Sequence, residues 1–158
     1  MVKYVAGLLF DEDCKKVALV LKNHGPSAIV GKWNAIGGKR IDSTNLGLGF
    51  ESGPAAMYRE FLEETGVEVR DWSLFLRLQG DQWEVEFYHA FDTAKQSQVR
   101  TMESEQIMVW PIDDEHPVWV PNLNWIIPMA LGHTEDHVWV YDVMEKETMA
   151  RVPEYRGH

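Results

Sequence analysis

One short stretch, which carries its own start and stop signals, constrains this chain most. Ser52 is a capping residue, Pro54 suits a first turn and Gly66 suits an end, so residues 52–64 are expected to form a helix. Ala55, Tyr58 and Leu62 recur at helical spacing and predict its buried face. The same helix carries Glu60, Glu63 and Glu64 at i, i+3 and i+4. That spacing stacks three carboxylates on one side, one turn apart. Like charges so close are unfavourable without a counter-charge. A solvated acidic stripe is the ordinary account of such a face. A site of hard oxygen ligands for Mg²⁺ or Mn²⁺ is the other. Arg59 stands four residues before Glu63 and can hold its carboxylate in place.

Around this helix the pattern is one of strands. Residues 3–10 and 17–21 are apolar runs separated by a polar turn, which predicts a hairpin. Residues 22–32 read as a loop punctuated by Gly25-Pro26 and Gly31, and residues 33–36 as a short strand running into Gly37-Gly38. Leu74, Leu76 and Leu78 are expected on one face of a strand. Trp83, Val85, Phe87, His89 and Phe91 are expected on one face of another, with Gly80-Asp81-Gln82 turning between the two. Residues 107–112 form a further expected strand, residues 122–131 a second helix limited or kinked by Pro128, and residues 137–143 a terminal strand. Hairpins and two helices without regular βαβ repetition predict an α/β chain with helices packed on a mixed sheet.

The chain has 158 residues, which fits a single domain over 1–158 with one sizeable core. No apolar run approaches the roughly 18 residues of a membrane helix, and the N-terminal apolar stretch reads as a strand, not a signal peptide. The formal charge of −10 repels nucleic-acid backbones and argues against a duplex partner. It leaves room for a small phosphorylated ligand, because a bound divalent cation inverts the local field. Cys14 is the lone cysteine, so no internal disulfide can form, and a reducing cytoplasm is the simplest home.

The helix sits within a longer pattern. Glu51 is followed by seven residues and then by Arg59-Glu60-Phe61-Leu62-Glu63-Glu64-Thr65-Gly66-Val67. This resembles the Nudix box, G-x5-E-x7-R-E-U-x-E-E-x-G-U with U apolar, and eight specified positions match in a 17-residue span. The box glycine belongs at position 45, where Asn45 stands. Gly37-Gly38-Lys39 instead looks like the family's glycine turn, with 12 residues between Gly38 and Glu51 where the box has 5, so an insertion at about 42–49 is inferred. Its place beside the phosphate site, with Gly47 and Gly49 in it, suggests a flap over the phosphates.

The resemblance implies the Nudix fold, an α/β/α sandwich around a mixed sheet, and hydrolysis of a diphosphate linkage by metal-activated water. It implies Mg²⁺ or Mn²⁺ held by Glu60, Glu63, Glu64 and the Gly37 carbonyl. Glu60 is either a ligand or the base, Arg59 belongs to the catalytic set, Gly38 makes the tight turn, and Glu51 supports from longer range. A further carboxylate from outside the box is expected to be Glu103 or Glu105, with Glu84 and Glu86 as rivals. Lys39 has family precedent as a phosphate contact; Arg40 is as well explained by solvation.

The run Trp33-Asn34-Ala35-Ile36-Gly37-Gly38, with Ile36 where a proline is commoner, is similar to Nudix enzymes that hydrolyse oxidised purine nucleoside triphosphates. In that comparison Asn34 reads the base; otherwise its amide satisfies local backbone. Asn122, Asn124 and Trp119 resemble the same subgroup's final helix entry and are further candidates for holding the base, against roles as a cap or in the core. Asp113 and Asp114 read as a turn. The six histidines show no ligand spacing, and His24 reads as a surface histidine on a loop that borders the pocket. Three functions follow: a nucleoside triphosphate pyrophosphohydrolase, a hydrolase of dinucleoside polyphosphates or nucleotide sugars, and a nucleotide-binding module without turnover. The lack of a proline near position 81 argues against ADP-ribose, and the intact box glutamates argue against the silent module.

Overall fold

The computed structural model describes residues 1–113, 115–134 and 137–143, which leaves Asp114 outside the described residues. The N-terminal alternation forms β1 (Val2–Phe10) and returns as β2 (Lys16–Leu21), antiparallel, with Leu9 opposite Ala18. The buried Asp11 carboxylate makes the turn by accepting from the amides of Lys15 and Lys16 at 2.9 and 2.8 Å. There follow β3 (Trp33–Asn34), β4 (Ile36–Lys39), β5 (Asp42–Ser43), β6 (Gly49–Phe50) and α1 (Gly53–Thr65). The hairpin β7 (Ser73–Gln79) and β8 (Trp83–Phe91) precedes a short α2 (Thr93–Gln96). β9 (Ile107–Pro111), α3 (Leu123–Leu131) and β10 (Trp139–Asp142) complete the order.

β1 lies at the middle of the sheet. It runs parallel to β8 from Val2 opposite Trp83 to Phe10 opposite Phe91. On its other side β4 pairs antiparallel with Tyr4–Gly7, and β2 with Leu9–Phe10. The sheet extends through β7 to β10 at one end, and through β2 to β3 and β9 at the other. Alternation along β1 and β8 then sorts the core onto two faces. Val5, Leu9 and Tyr88 pack under α1 through Ala56, Met57 and Phe61. Leu8, Phe10 and Phe87 pack under α3 through Leu123, Ile126, Ile127 and Ala130. This is the expected α/β/α sandwich.

α1 starts and stops where its signals lie. The Ser52 side chain accepts from the Ala55 amide at 3.2 Å, and Gly66, at φ 76°, closes the helix on the Leu62 carbonyl. Its buried face differs from the expected one. Ala55 is exposed and Tyr58 and Leu62 are half-buried, while Ala56, Met57 and Phe61 are fully buried. Phe61 alone, packed edge-on against Trp72, contributes roughly 2–3 kcal/mol of apolar burial. A bulge between Leu74 and Leu76 also breaks the expected leucine face: Leu74 turns to the α1 side, while Leu76 and Leu78 stay on the α3 side. Residues 33–36 do not make one strand, because the chain changes partners at Ala35, from β2 to β1. α3 continues through Pro128 to Leu131.

Candidate active site

The second half of α1 passes over the turn that ends β4, and the absence of side chains at that turn lets it come close. A Cβ on Gly38 would lie 2.6 Å from the Glu60 carboxylate carbon, and one on Gly37 would strike the Val5 carbonyl of β1. Glycine at both positions therefore sets the approach of sheet to helix.

Arg59 organises the carboxylates. It meets Glu51 through Nε at 2.9 Å and a terminal nitrogen at 2.8 Å, and the latter nitrogen also donates to the Lys39 carbonyl at 3.1 Å. Its other terminal nitrogen reaches Glu60 at 3.0 Å and Glu63 at 3.3 Å. Glu51 is thus a direct partner of Arg59, and the fork holds its carboxyl below the usual range against the opposing effect of burial. The contrast with Glu64 is sharp. Glu64 is buried, and its Oε2 has no hydrogen-bond partner among the described residues. Burial first, then the charges of Glu60, Glu103 and Glu105, push its pKa up to about 8, against a pull from Lys22. Burial also raises Glu60, although Arg59 pulls it down.

Glu60 and Glu64 border a cavity of about 660 Å³, while Glu51 and Glu63 are not on its wall; the lining is acidic where α1 meets the Gly38 turn and apolar where it adjoins the core under α3. Glu60, Glu64, Glu103, Gly37, Gly38 and Lys39 line the acid end. Ile29, Leu78, Trp83, Val85 and Phe87 make the apolar end, where they belong to the core under α3, and Asn34 and Asn122 also lie on the cavity wall. Asn34 Oδ1 accepts from the Ala35 amide at 2.8 Å, so its NH₂ is the part left for a ligand.

Other sequence candidates lie elsewhere. Trp119 is buried, its indole N–H donates to Asn124 Oδ1 at 2.9 Å, and His116 stacks on it at 3.8 Å. Neither Trp119 nor Asn124 lines the cavity, so the two serve each other and not a base. Glu86 accepts from Arg77 at 2.7 Å and from the Tyr88 hydroxyl at 3.0 Å, and Glu84 faces Arg77 and Arg40. Both acids are committed to that network and lie off the cavity wall, and Arg40 is held there too, with 11% of its side chain exposed. Residues 42–50 form the β5–β6 hairpin around a 3₁₀ turn and contribute nothing to the cavity wall, contrary to the expected flap. The sequence reading missed Lys22 and the whole apolar end.

Glu60, Glu63 and Glu64 offer hard oxygen donors in excess of positive charge. The orphaned Glu64 oxygen and the glycine cradle beside Glu60 suit a small divalent cation. As they stand, no three acid, histidine or cysteine groups converge on one point among the described residues.

The sequence matches no protein-family model and no curated protein. Solved structures do resemble it. The MutT protein of Bacillus halodurans superposes with a TM-score of 0.64 at 21% identity, over 91% of each chain. A MutT structure from a study of the Aliivibrio salmonicida and Vibrio cholerae enzymes gives 0.58 at 23% identity, over 84% of this chain and 98% of that one. An ADP-ribose pyrophosphatase of Streptococcus suis gives 0.59 at 17% identity, over 90% and 98%. The chain therefore has the Nudix hydrolase fold, and the residues of its box stand on the helix and turn that carry the acid end of the cavity.

Proposed function

We propose that this chain is a Nudix pyrophosphohydrolase that cleaves nucleoside triphosphates to a monophosphate and pyrophosphate, with oxidised purine nucleotides as its leading substrates. One observation carries the reading: a buried, unpartnered Glu64 oxygen beside Glu60, at the acid end of a cavity whose other end is apolar and whose wall bears two amides. An apolar slot with few polar groups suits a base, and the acid end suits metal-bound phosphates.

Glu60, Glu63, Glu64 and the Gly37 carbonyl would hold Mg²⁺ or Mn²⁺, with Glu103 as the carboxylate from outside the box. A bound cation would neutralise charge on the diphosphate and make a nearby water more acidic. The chain's own residues do the rest. Arg59 keeps Glu60 and Glu63 oriented, and Glu51 keeps Arg59 oriented. Glu60 or Glu64 takes the proton from the attacking water; burial raises both above the usual carboxylate range, which strengthens them as bases. Lys39 stands at the acid end to meet outer phosphates. The Asn34 NH₂ donates to an acceptor on the base edge, such as a purine oxo group.

The test is a panel of nucleotides incubated with Mg²⁺ or Mn²⁺, with products resolved by chromatography. It should include oxidised dGTP, dGTP, dCTP, a dinucleoside polyphosphate, a nucleotide sugar and ADP-ribose, the last because an ADP-ribose pyrophosphatase shares the fold. Monophosphate and pyrophosphate from the purine triphosphates, lost in Glu64→Gln, support the reading. Cleavage of ADP-ribose or a nucleotide sugar alone overturns the substrate assignment. Asn34→Ala should lower kcat/KM for the purine triphosphates by about 5- to 100-fold, the effect of leaving a polar edge unpaired. An equal fall for dCTP would give Asn34 a general shaping role instead.

A further inference from the structure

The loop of residues 22–32 runs along the cavity from its acid end to its apolar end. Lys22 and His24 lie on the wall near the acidic residues, and Pro26 and Ile29 lie on the wall further along. Its neck is closed by two backbone bonds, Lys22 amide to Lys32 carbonyl at 3.0 Å and Gly31 amide to Lys22 carbonyl at 2.8 Å. Near each end stands a glycine with left-handed backbone, Gly25 at φ 109° and Gly31 at φ 80°. Most of the loop is exposed. It needs an anchor to stay ordered, and that anchor comes from a distant segment.

The anchor is Glu105. Its Oε1 accepts from Lys22 Nζ at 2.9 Å. Its Oε2 accepts from the Asn23 amide at 2.8 Å and lies 3.2 Å from His24 Nδ1. Asn23 adds a bond from its side chain to the Ser104 carbonyl at 3.2 Å. Both carboxylate oxygens are spent on three consecutive residues of one loop. Burial works against the Glu105 charge, but the Asn23 amide and Lys22 outweigh it and hold the carboxyl below its usual range. Glu103, two residues away, lines the same cavity end.

We infer that Glu105 is a positioning residue: it latches the 22–32 loop along the cavity and so holds Lys22 and His24 where the phosphates of the substrate lie. The inference rests on the triphosphate reading above. Lys22 supplies positive charge at an end dominated by carboxylates, and its field already reaches Glu64. The same loop brings Ile29 to the base end, so one latch sets contacts to both parts of a nucleotide. Glu105 is thereby taken out of the metal-ligand set that the spacing of Glu103 and Glu105 left open.

Glu105→Gln, which keeps the shape and removes the charge, tests this together with Lys22→Met. Three quantities are measured: Mn²⁺ affinity of the protein without nucleotide, steady-state kinetics on the best triphosphate, and hydrogen exchange across residues 22–32. The expected result for Glu105→Gln is an unchanged Mn²⁺ affinity, faster exchange in the loop, and a KM raised by about fivefold or more with kcat little changed, as for loss of a partly buried ion pair. Lys22→Met should raise KM similarly, and the double variant should be no worse than either single one. A Mn²⁺ affinity weakened about tenfold with a collapse of kcat would make Glu105 a metal ligand and overturn the inference. Unchanged exchange and KM would overturn it as well. If the parent protein cleaves no triphosphate at all, the proposed function fails, while the Mn²⁺ and exchange arms still decide whether Glu105 is a latch.

Discussion

Arg59 and Glu51 meet edge to edge, with two hydrogen bonds of 2.8 and 2.9 Å, although twelve residues separate Glu51 from the Gly38 turn on which the same guanidinium rests. The base of the β5–β6 hairpin explains how. Ile41 and Glu51 exchange backbone and side-chain bonds, and Arg40 Nε donates to the Glu51 carbonyl at 2.7 Å. The hairpin thus closes on itself and brings Glu51 back beside the Gly38 turn. Arg59→Lys keeps the charge and loses the fork, and should lower kcat by roughly 10- to 100-fold. Steady-state kinetics beside a thermal melt separates this from unfolding; an unchanged kcat would show that the fork does not orient the acids.

The hairpin itself should be dispensable. Replacing Ser43–Gly49 with Asn-Gly leaves Ile41, Asp42 and Glu51 in place and offers a two-residue turn suited to antiparallel strands. No residue from 43 to 49 lines the cavity, so KM on the best triphosphate should stay within about twofold of the parent's. A large rise in KM would show that the hairpin reaches the substrate after all.

Gly37 and Gly38 are adjacent and should fail in different ways. Gly38→Ala places a methyl group against the Glu60 carboxylate, the end of a flexible side chain, so the fold should survive while metal affinity and turnover fall. Gly37→Ala drives the methyl group into the Val5 carbonyl, backbone at the middle of the sheet, and should cost more than about 2 kcal/mol of stability. Thermal melts should therefore separate the two variants, and Mn²⁺ titration should find Gly38→Ala weakened while it is still folded; a parent-like Mn²⁺ affinity in Gly38→Ala overturns the prediction.

A pair of histidines should make stability fall in mild acid. His133 Nε2 lies 2.6 Å from the His137 carbonyl, which can only accept, so the neutral His133 ring offers Nδ1 to His89 Nε2 at 3.2 Å. A proton on His89 puts a charge among Phe75, Phe91 and His133, with His137 and Trp139 beyond. Burial, then the field of His133, takes His89 down to about 4, against a pull from the Ala130 backbone. A base depressed in the folded state contributes stability above its unfolded pKa and loses it below. The His89 share of folding stability should therefore decline as pH falls from about 6.5 toward 4, by up to roughly 3 kcal/mol, while Glu64, raised in the folded state, works in the opposite direction over the same range. Urea melts of the parent and of His89→Phe across that range isolate the His89 share: the parent should lose stability relative to the variant as the pH falls, and equal slopes overturn the prediction.

Much of this was legible in the sequence where the signal is local. The caps at Ser52 and Gly66, the hairpin turn at residues 80–82 and the spacing of the box each involve neighbours within a few residues. The face of α1 was not, because choosing Ala55, Tyr58 and Leu62 assumes that acids point to solvent. Glu64 points inward, and the buried face is rotated to Ala56, Met57 and Phe61. The bulge at Leu74–Leu76 inverts an alternation that looked regular. The Lys22–Glu105 bond spans 83 positions and is set by tertiary approach, which no spacing rule reaches; the Trp119–Asn124 bond is local, but spacing alone does not tell a mutual bond from two ligand contacts.

The middle place of β1 has a consequence for how the protein assembles. Every residue from Val2 to Phe10 is paired with a residue 81 positions later, between Trp83 and Phe91. During synthesis the first strand must wait for more than half of the chain to emerge before its parallel neighbour exists. The glycine turn at Gly37–Gly38 is registered on that same strand through Ala6 and Val5. Long-range pairing of this kind slows folding relative to a helical bundle, because the loop must close before the contacts form. The apolar part of the cavity, which rests on Trp83, Val85 and Phe87, is therefore completed only once β8 has closed on β1.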